Sequence, residues 1–352
     1  MTDEPIIASR KGFYHQLKAG KRYLWCKCGR SKSQPFCDGS HVGTSFLPVA
    51  YKATRDEEVI FCGCKHTGTP PFCDGTHNNL PGGYHEDDPD SAQNRKVALV
   101  PAGKDPRVML DGQCYVFSPS RATLRTRGTF GYCAAVSPSL GALFQSQFYA
   151  QARRGASPVI SADGRHTVLF ITEGEGEVEI SGRRFAVGAR TGVYVCPDES
   201  FRIHNDRDTP MKIYISNGPG SEDLAFTEQM PQNFDAAHPQ RTAGIDPSQR
   251  HKMAARHFQL LVNREHGSSV VTQFIGNVPQ SKAEPHRHLY EEALFFLNGT
   301  GMVWTQDRKT PVGAGDIVFL PSKQIHSVQC TSPDGFDLVG VIYPGDNPSV
   351  NY

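Results

Sequence analysis

With 352 residues the chain is long enough for two or three hydrophobic cores. Its 37 basic residues balance 36 acidic ones, which argues against a bulk electrostatic partner such as nucleic acid or an anionic membrane. There is no run of about 18 apolar residues and no charged-then-apolar leader, so neither a membrane span nor a signal peptide is expected. The acidic start, MTDEPIIASRKG, also lacks the Arg-rich pattern of an organelle import segment.

The first feature in chain order is a repeated frame. CKCGRSKSQPFCDGSH, from Cys26 to His41, returns as CGCKHTGTPPFCDGTH, from Cys62 to His77, and both read C-x-C-x8-C-x3-H. Cys26, Cys28, Cys37 and His41 are matched by Cys62, Cys64, Cys73 and His77. Ser31 is matched by Thr67, Pro35 by Pro71, and Asp38–Gly39 by Asp74–Gly75. Cysteines grouped this way beside a histidine are metal-like, and the reducing cytoplasm is the expected location. Three thiolates and one imidazole suit zinc or an iron–sulfur cluster. Proline and the Asp-Gly pair form the tight turn that returns the third cysteine and the histidine to the metal. Ligand count alone leaves a pair of structural Cys3His zinc sites open. His66 is off-frame and expected to face solvent. Cys114, Cys133, Cys196 and Cys330 are scattered and expected to be plain thiols.

Both copies resemble the CDGSH (NEET-type) iron–sulfur family, whose motif C-x-C-x2-S/T-x3-P-x-C-D-G-S/A/T-H they meet at every specified position. The lead-in LKAGKRYLWCKCGRS is similar to the tandem-motif branch. The resemblance implies one [2Fe–2S] cluster per motif, with the cysteine pair on the inner iron and the third cysteine plus histidine on the outer one. It also implies that two motifs in one chain replace the homodimer of single-motif members. Imidazole is a neutral ligand, so its presence raises the reduction potential, and its protonation would make the clusters acid-labile. Residues 1–80 are read as this tandem domain.

Residues 81–96, within NNLPGGYHEDDPDSAQNRK, read as a linker in which His85 is an ordinary surface residue. Beyond it, short apolar runs broken by Gly, Pro, Asp and Asn predict many strands and a sandwich or barrel. The second half repeats the first at an offset of 125 positions, with NGTG (Asn298–Gly301) falling on EGEG (Glu173–Gly176). Two tandem barrels are therefore expected, at 97–220 and 252–352, joined by a connector at 221–251. The GEGEG run lacks the lysine and helix of a phosphate loop and reads as a hairpin turn.

A second constellation lies in PHRHLYEEALFFLNGTG, with His286, His288 and Glu292, and in GDIVFLPSKQIHSV, with His326. On a strand, positions 286, 288 and 292 share parity and one face. Three imidazoles and a carboxylate form a mixed N/O site for Fe, Mn, Ni, Cu or Zn with coordination positions left open. The frame resembles the cupin superfamily. Its first motif is met by His286, His288, Glu292 and Gly299, and its second by Gly315, Pro321 and His326, with Lys323 where glycine is usual and Gln280 at the leading glycine. The resemblance implies double-stranded β-helix (jelly-roll) barrels. The whole chain thus reads as mostly β, a CDGSH pair followed by two cupins. At the offset positions the first barrel has Ser161, Asp163 and Thr167, while His166 and His204 fall out of frame, so that barrel is expected to be metal-free.

The combination of cluster motifs with a metal barrel suggests an iron–sulfur-dependent oxidoreductase, by analogy with Rieske-type oxygenases. Two [2Fe–2S] clusters would relay electrons to Fe(II) held by His286, His288, Glu292 and His326, which would act with O2 on a small organic substrate. Phe296, Met302 and Trp304 are candidates to line the pocket or pack the barrel core. No G-x-G-x-x-G follows a strand, so electrons are expected from a separate reductase. A homodimer is one arrangement left open. Two other readings remain at this point, a redox or ligand sensor or cluster-transfer protein, and a non-redox isomerase or hydrolase with structural clusters.

Overall fold

The computed structural model describes residues 4–82, 85–345 and 347–352. Gly83 and Tyr84 of the expected linker lie outside the described residues. No α-helix occurs among them, only strands and short 3₁₀ turns, and hence no helix long and apolar enough to cross a membrane. The chain divides into two compact units, one of Met1–Asp87, Ala283–Leu289 and Asn347–Tyr352, the other of Asp88–Lys282 and Tyr290–Asp346.

The first unit is a cross-paired repeat. Strand Phe13–Leu17 pairs antiparallel with Glu57–Phe61, and Arg22–Trp25 with Val49–Lys52. Each copy therefore satisfies its backbone through the other. Alternation along Arg22–Trp25 turns Tyr23 and Trp25 inward, where they join Leu17, Ala53 and Phe61 in a small aromatic core. Strands Arg22–Trp25 and Glu57–Phe61 each deliver a cysteine pair directly after their last residue.

The second unit holds two jelly-roll barrels. Its first barrel is made of a seven-stranded and a six-stranded sheet, its second of an eight-stranded and a five-stranded sheet. The 125-residue offset persists in three dimensions. Strands Arg183–Gly188 and Met211–Gly218 recur as Arg308–Gly313 and Phe336–Tyr343. The GEGEG run is a turn but not the expected hairpin: Gly174, in the left-handed region at φ 88°, carries the chain from His166–Glu173 in the seven-stranded sheet to Glu175–Ile180 in the six-stranded one, and the two strands do not pair with each other. Gly299, 125 positions on, turns the same way at φ 70°.

The expected barrel boundary needs correction. Ala98–Leu99, Arg107–Met109 and Tyr115–Phe117 do not belong to the first barrel. They pair within the second barrel's sheets, Tyr115–Phe117 beside Ile317–Leu320 and Ala98–Leu99 beside Arg308–Gly313. The expected connector also contributes strands, since Ala225–Thr227 pairs with Val159–Ser161 and Thr242–Ala243 with Thr191–Val195. Strand propensity sets that these segments are extended, whereas edge pairing and burial choose the partner. The seven- and eight-stranded sheets bury Phe170, Tyr194, Tyr214, Leu261, Phe295 and Phe319 in a shared apolar layer.

Candidate metal centres

The two CDGSH-like frames fold alike, atom for atom. Cys26 N–H donates to Pro35 O and Cys62 N–H to Pro71 O, both at 2.9 Å. Cys37 N–H donates to Leu24 O at 2.8 Å and Cys73 N–H to Ile60 O at 2.9 Å. The Ser31 and Thr67 hydroxyls donate to Phe36 O and Phe72 O. Asp38 and Asp74 each accept two backbone N–H groups, from Lys32 and Ser40 and from Gly68 and Thr76, at 2.8–3.0 Å. The Ser40 side chain and these amides hold the Asp38 carboxyl well below its usual range. Gly39 and Gly75, at φ 93° and 85°, supply the left-handed residue that lets the turn close.

The result is two ligand pairs per frame. Cys26 and Cys28 Sγ are 3.6 Å apart, and Cys37 Sγ is 3.2 Å from His41 Nδ1. In the second frame Cys62 and Cys64 Sγ are 3.5 Å apart, and Cys73 Sγ is 3.5 Å from His77 Nδ1. Such spacings fit two ligands on one tetrahedral iron, so each frame fits a two-iron core with a Cys–Cys and a Cys–His side. The cysteine pairs are buried and Cys37 and Cys73 half-buried. The Cys62 thiol, sharing a hydrogen with Cys64, is pulled down to about 6, while Cys64 is pushed up. His66 is exposed, as expected.

The frames differ around their histidines. His41 is half-buried, whereas His77 is 3% exposed. Burial lowers the His77 pKa, and its Nε2 lies 3.3 Å from Asn351 Oδ1. The tail carrying Asn351 is seated by further hydrogen bonds. Asn78 Nδ2 donates to Ser349 O at 2.9 Å, and Asn347 Nδ2 donates to Asp74 O at 3.2 Å. A Cβ on Gly75 would stand 2.0 Å from Ser349 Oγ, so only glycine fits under the tail. Nothing in the motif signals Asn351.

In the second barrel, His288, Glu292 and His326 each offer one ligand atom, and these atoms lie within 4.8 Å of one another. All three are buried, at 2%, 8% and 2% exposure. Glu292 lies in strand Glu291–Phe296 and shares the inward parity of Leu294 and Phe296. The expectation that 286, 288 and 292 occupy one strand is corrected, because the strand begins at Glu291 and both histidines precede it in an irregular stretch. His286 lies outside the convergent trio. Its ring centroid is 6.3 Å from that of His288, and its Nδ1 is 2.9 Å from Glu284 O. His326 Nδ1 donates to Gln324 O at 2.8 Å, which leaves Nε2 as the lone-pair nitrogen. The turn before it places Lys323 at φ 66°, so the backbone keeps the left-handed shape without the usual glycine.

Of the expected lining residues, Phe296 packs in the barrel interior with Val303 and Phe336. Met302 and Trp304 flank Val303 and have the opposite parity. The Trp304 ring instead meets Lys282 and Lys309 Nζ at 4.9 and 3.9 Å and donates to Gln329. Glu291, which sequence reading passed over, is buried facing the other way. Its carboxylate accepts the Leu143 and Phe144 N–H groups at 2.6 and 2.9 Å, and burial raises its pKa. Its role is to anchor a loop.

The first barrel has no such site among the described residues. Its interior is filled by Phe130, Phe148, Val178, Phe201 and Ile213. His204 pairs with Glu179 at 2.8 Å, and His166 with the Tyr194 hydroxyl at 2.6 Å.

Comparison with known proteins gives three family matches along the chain. Residues 4–42 match the CDGSH-type iron-binding zinc finger, 161–270 the AraC-like ligand binding domain, and 277–342 the cupin domain. The chain is a CDGSH iron–sulfur domain fused to cupin domains. Mouse and human CDGSH iron-sulfur domain-containing protein 3, mitochondrial, are each 50% identical to this CDGSH–cupin fusion, over 52 and 50 residues, or 14% of the chain. The chain spans 38% and 39% of the length of these relatives. Among solved structures, protein Ylba of E. coli is similar over 68% of this chain and 94% of its own, with a TM-score of 0.53 at 13% identity. A Bacillus subtilis oxalate decarboxylase covers 70% of this chain and 80% of its own, with a TM-score of 0.54 at 14% identity. The Lactobacillus farciminis oxalate decarboxylase formate complex covers 71% and 90%, with a TM-score of 0.52 at 13% identity. These likenesses establish the fold.

Proposed function

We propose that the CDGSH–cupin fusion is an oxidoreductase in which each CDGSH frame holds a [2Fe–2S] cluster and the second barrel holds a mononuclear non-haem iron acting with O2 on a small organic substrate. The observation that carries this is the buried set His288, Glu292 and His326, two imidazoles and one carboxylate converging within 4.8 Å. A 2-His-1-carboxylate set with open positions suits non-haem Fe(II) oxygenases. Bound iron supplies the redox chemistry toward O2. The chain's own residues hold and shield that centre. The Gln324 carbonyl orients His326, and Phe296, Val303 and Phe336 pack as a buried apolar cluster in the same barrel.

The test begins with iron, sulfide and EPR analysis of anaerobically purified protein. Four cluster irons with four sulfides and one further iron per chain are expected. Manganese in the fifth place, as in the Mn(II) centres of the Bacillus subtilis oxalate decarboxylase, would redirect the reading to non-oxygenase chemistry. After dithionite reduction, the clusters of the parent should reoxidise in air at least tenfold faster than those of His326→Ala. Equal rates would remove the barrel from the electron path.

A ligand-sensing role is favoured by one observation, the match of residues 161–270 to the AraC-like ligand binding domain. The packed interior of that barrel weighs against it. A sensor would bind a small molecule without consuming it.

A further inference from the structure

Directly after Cys64 stands Lys65, a lysine at 4% exposure. Its Nζ donates to Cys62 O at 3.1 Å and lies over the Trp25 ring at 4.9 Å and the Phe13 ring at 5.6 Å. Trp25 Nε1 donates to the same Cys62 carbonyl at 3.0 Å. A residue of the second frame and the residue preceding the first cysteine of the first frame thus converge on one atom. No carboxylate pairs with Lys65 among the described residues. An ammonium buried among aromatic rings is costly unless negative charge offsets it. The available negative charge is that of the cysteines: Lys65 directly follows Cys64, and the Trp25 ring beneath its Nζ directly precedes Cys26. The equivalent position in the first frame is Gly29, at φ 76°, where a Cβ would stand 1.8 Å from Ile6 O. The first frame cannot carry a cation of its own there.

We propose that Lys65 is the single counter-charge shared by both clusters, raising the reduction potential of the cluster in the first frame as well as that of its own. The proposal rests on the reading that each frame holds a [2Fe–2S] cluster. A core held by three thiolates and a neutral imidazole is anionic, and it gains one further negative charge on reduction, so a fixed cation in a low-dielectric core favours the reduced form of each.

The experiment is an EPR-monitored redox titration of full-length parent protein, Lys65→Met and Lys65→Gln. Methionine keeps the side chain's bulk, and glutamine keeps a donor for the Cys62 carbonyl; both remove the charge. His41→Cys, in the parent background, assigns which signal belongs to the first frame. Both midpoints are expected to move negative in both variants, each by at least tenfold in its reduction equilibrium, or about 59 mV for a one-electron couple. A shift confined to the Cys62 cluster, or no shift, would overturn the proposal. So would loss of clusters from both variants, since a tuning charge is dispensable for loading. A parent that holds two irons and one signal would instead sink the two-cluster reading, before Lys65 is tested.

Discussion

The two barrels share a backbone and differ where chemistry would occur. At the 125-residue offset, the positions of His288, Glu292 and His326 are taken by Asp163, Thr167 and Phe201. Asp163 is exposed on a left-handed turn, Thr167 donates to Asn217 Oδ1 at 3.0 Å, and Phe201 is fully buried in the interior. Three substitutions thus separate a metal-competent pocket from a packed apolar core. The jelly roll supplies strand positions and turns, and side-chain identity at a few inward sites decides between stability and coordination.

Replacing a metal ligand should break that contrast most sharply. Glu292→Ala or His326→Ala should empty the second barrel, with a loss of affinity beyond the roughly 10–100-fold typical of outer-shell changes, as read by metal analysis after dialysis. Retained stoichiometry would show that the trio is not the site. In the first barrel, Phe201→Ala should instead cost about 3–5 kcal/mol in chemical denaturation, with metal content unchanged. A cost under about 1 kcal/mol would mean that the interior collapses freely and is not a packed counterpart. Thr167→Val, at the position of Glu292, leaves the buried Asn217 acceptor without that donor and should cost about 1–3 kcal/mol. The smallest effect should come from Lys323→Gly. Relief of about 1–2 kcal/mol of left-handed strain, partly offset by the greater freedom of glycine in the unfolded chain, leaves a gain of up to about 1 kcal/mol. A lower Tm would show that Lys323 makes contacts worth more than its strain.

Local features were legible because they depend on short-range geometry. The Ser31 and Thr67 turns, the Asp38 and Asp74 hydrogen bonds and the turn at Gly174 follow from spacing within a dozen residues, although which sheet the chain enters after Gly174 does not. Features set by distant partners were not. Tyr115–Phe117 looks like any strand of the first barrel, and only the edge offered by Ile317–Leu320 decides its sheet. His286 and His288 were given strand parity, which an irregular stretch does not obey. Nothing in the motif marks Lys65 as buried, because Phe13 and Trp25, whose rings lie against its ammonium, are distant in sequence.

Asn351 and His77 are separated by 274 positions. At ordinary elongation rates the ribosome needs on the order of tens of seconds to pass from one to the other. Throughout that interval the second frame is complete in sequence yet lacks its cover, and its His77 side is shut only once both barrels have been made. The closing of this frame is thereby set by chain order as well as by packing.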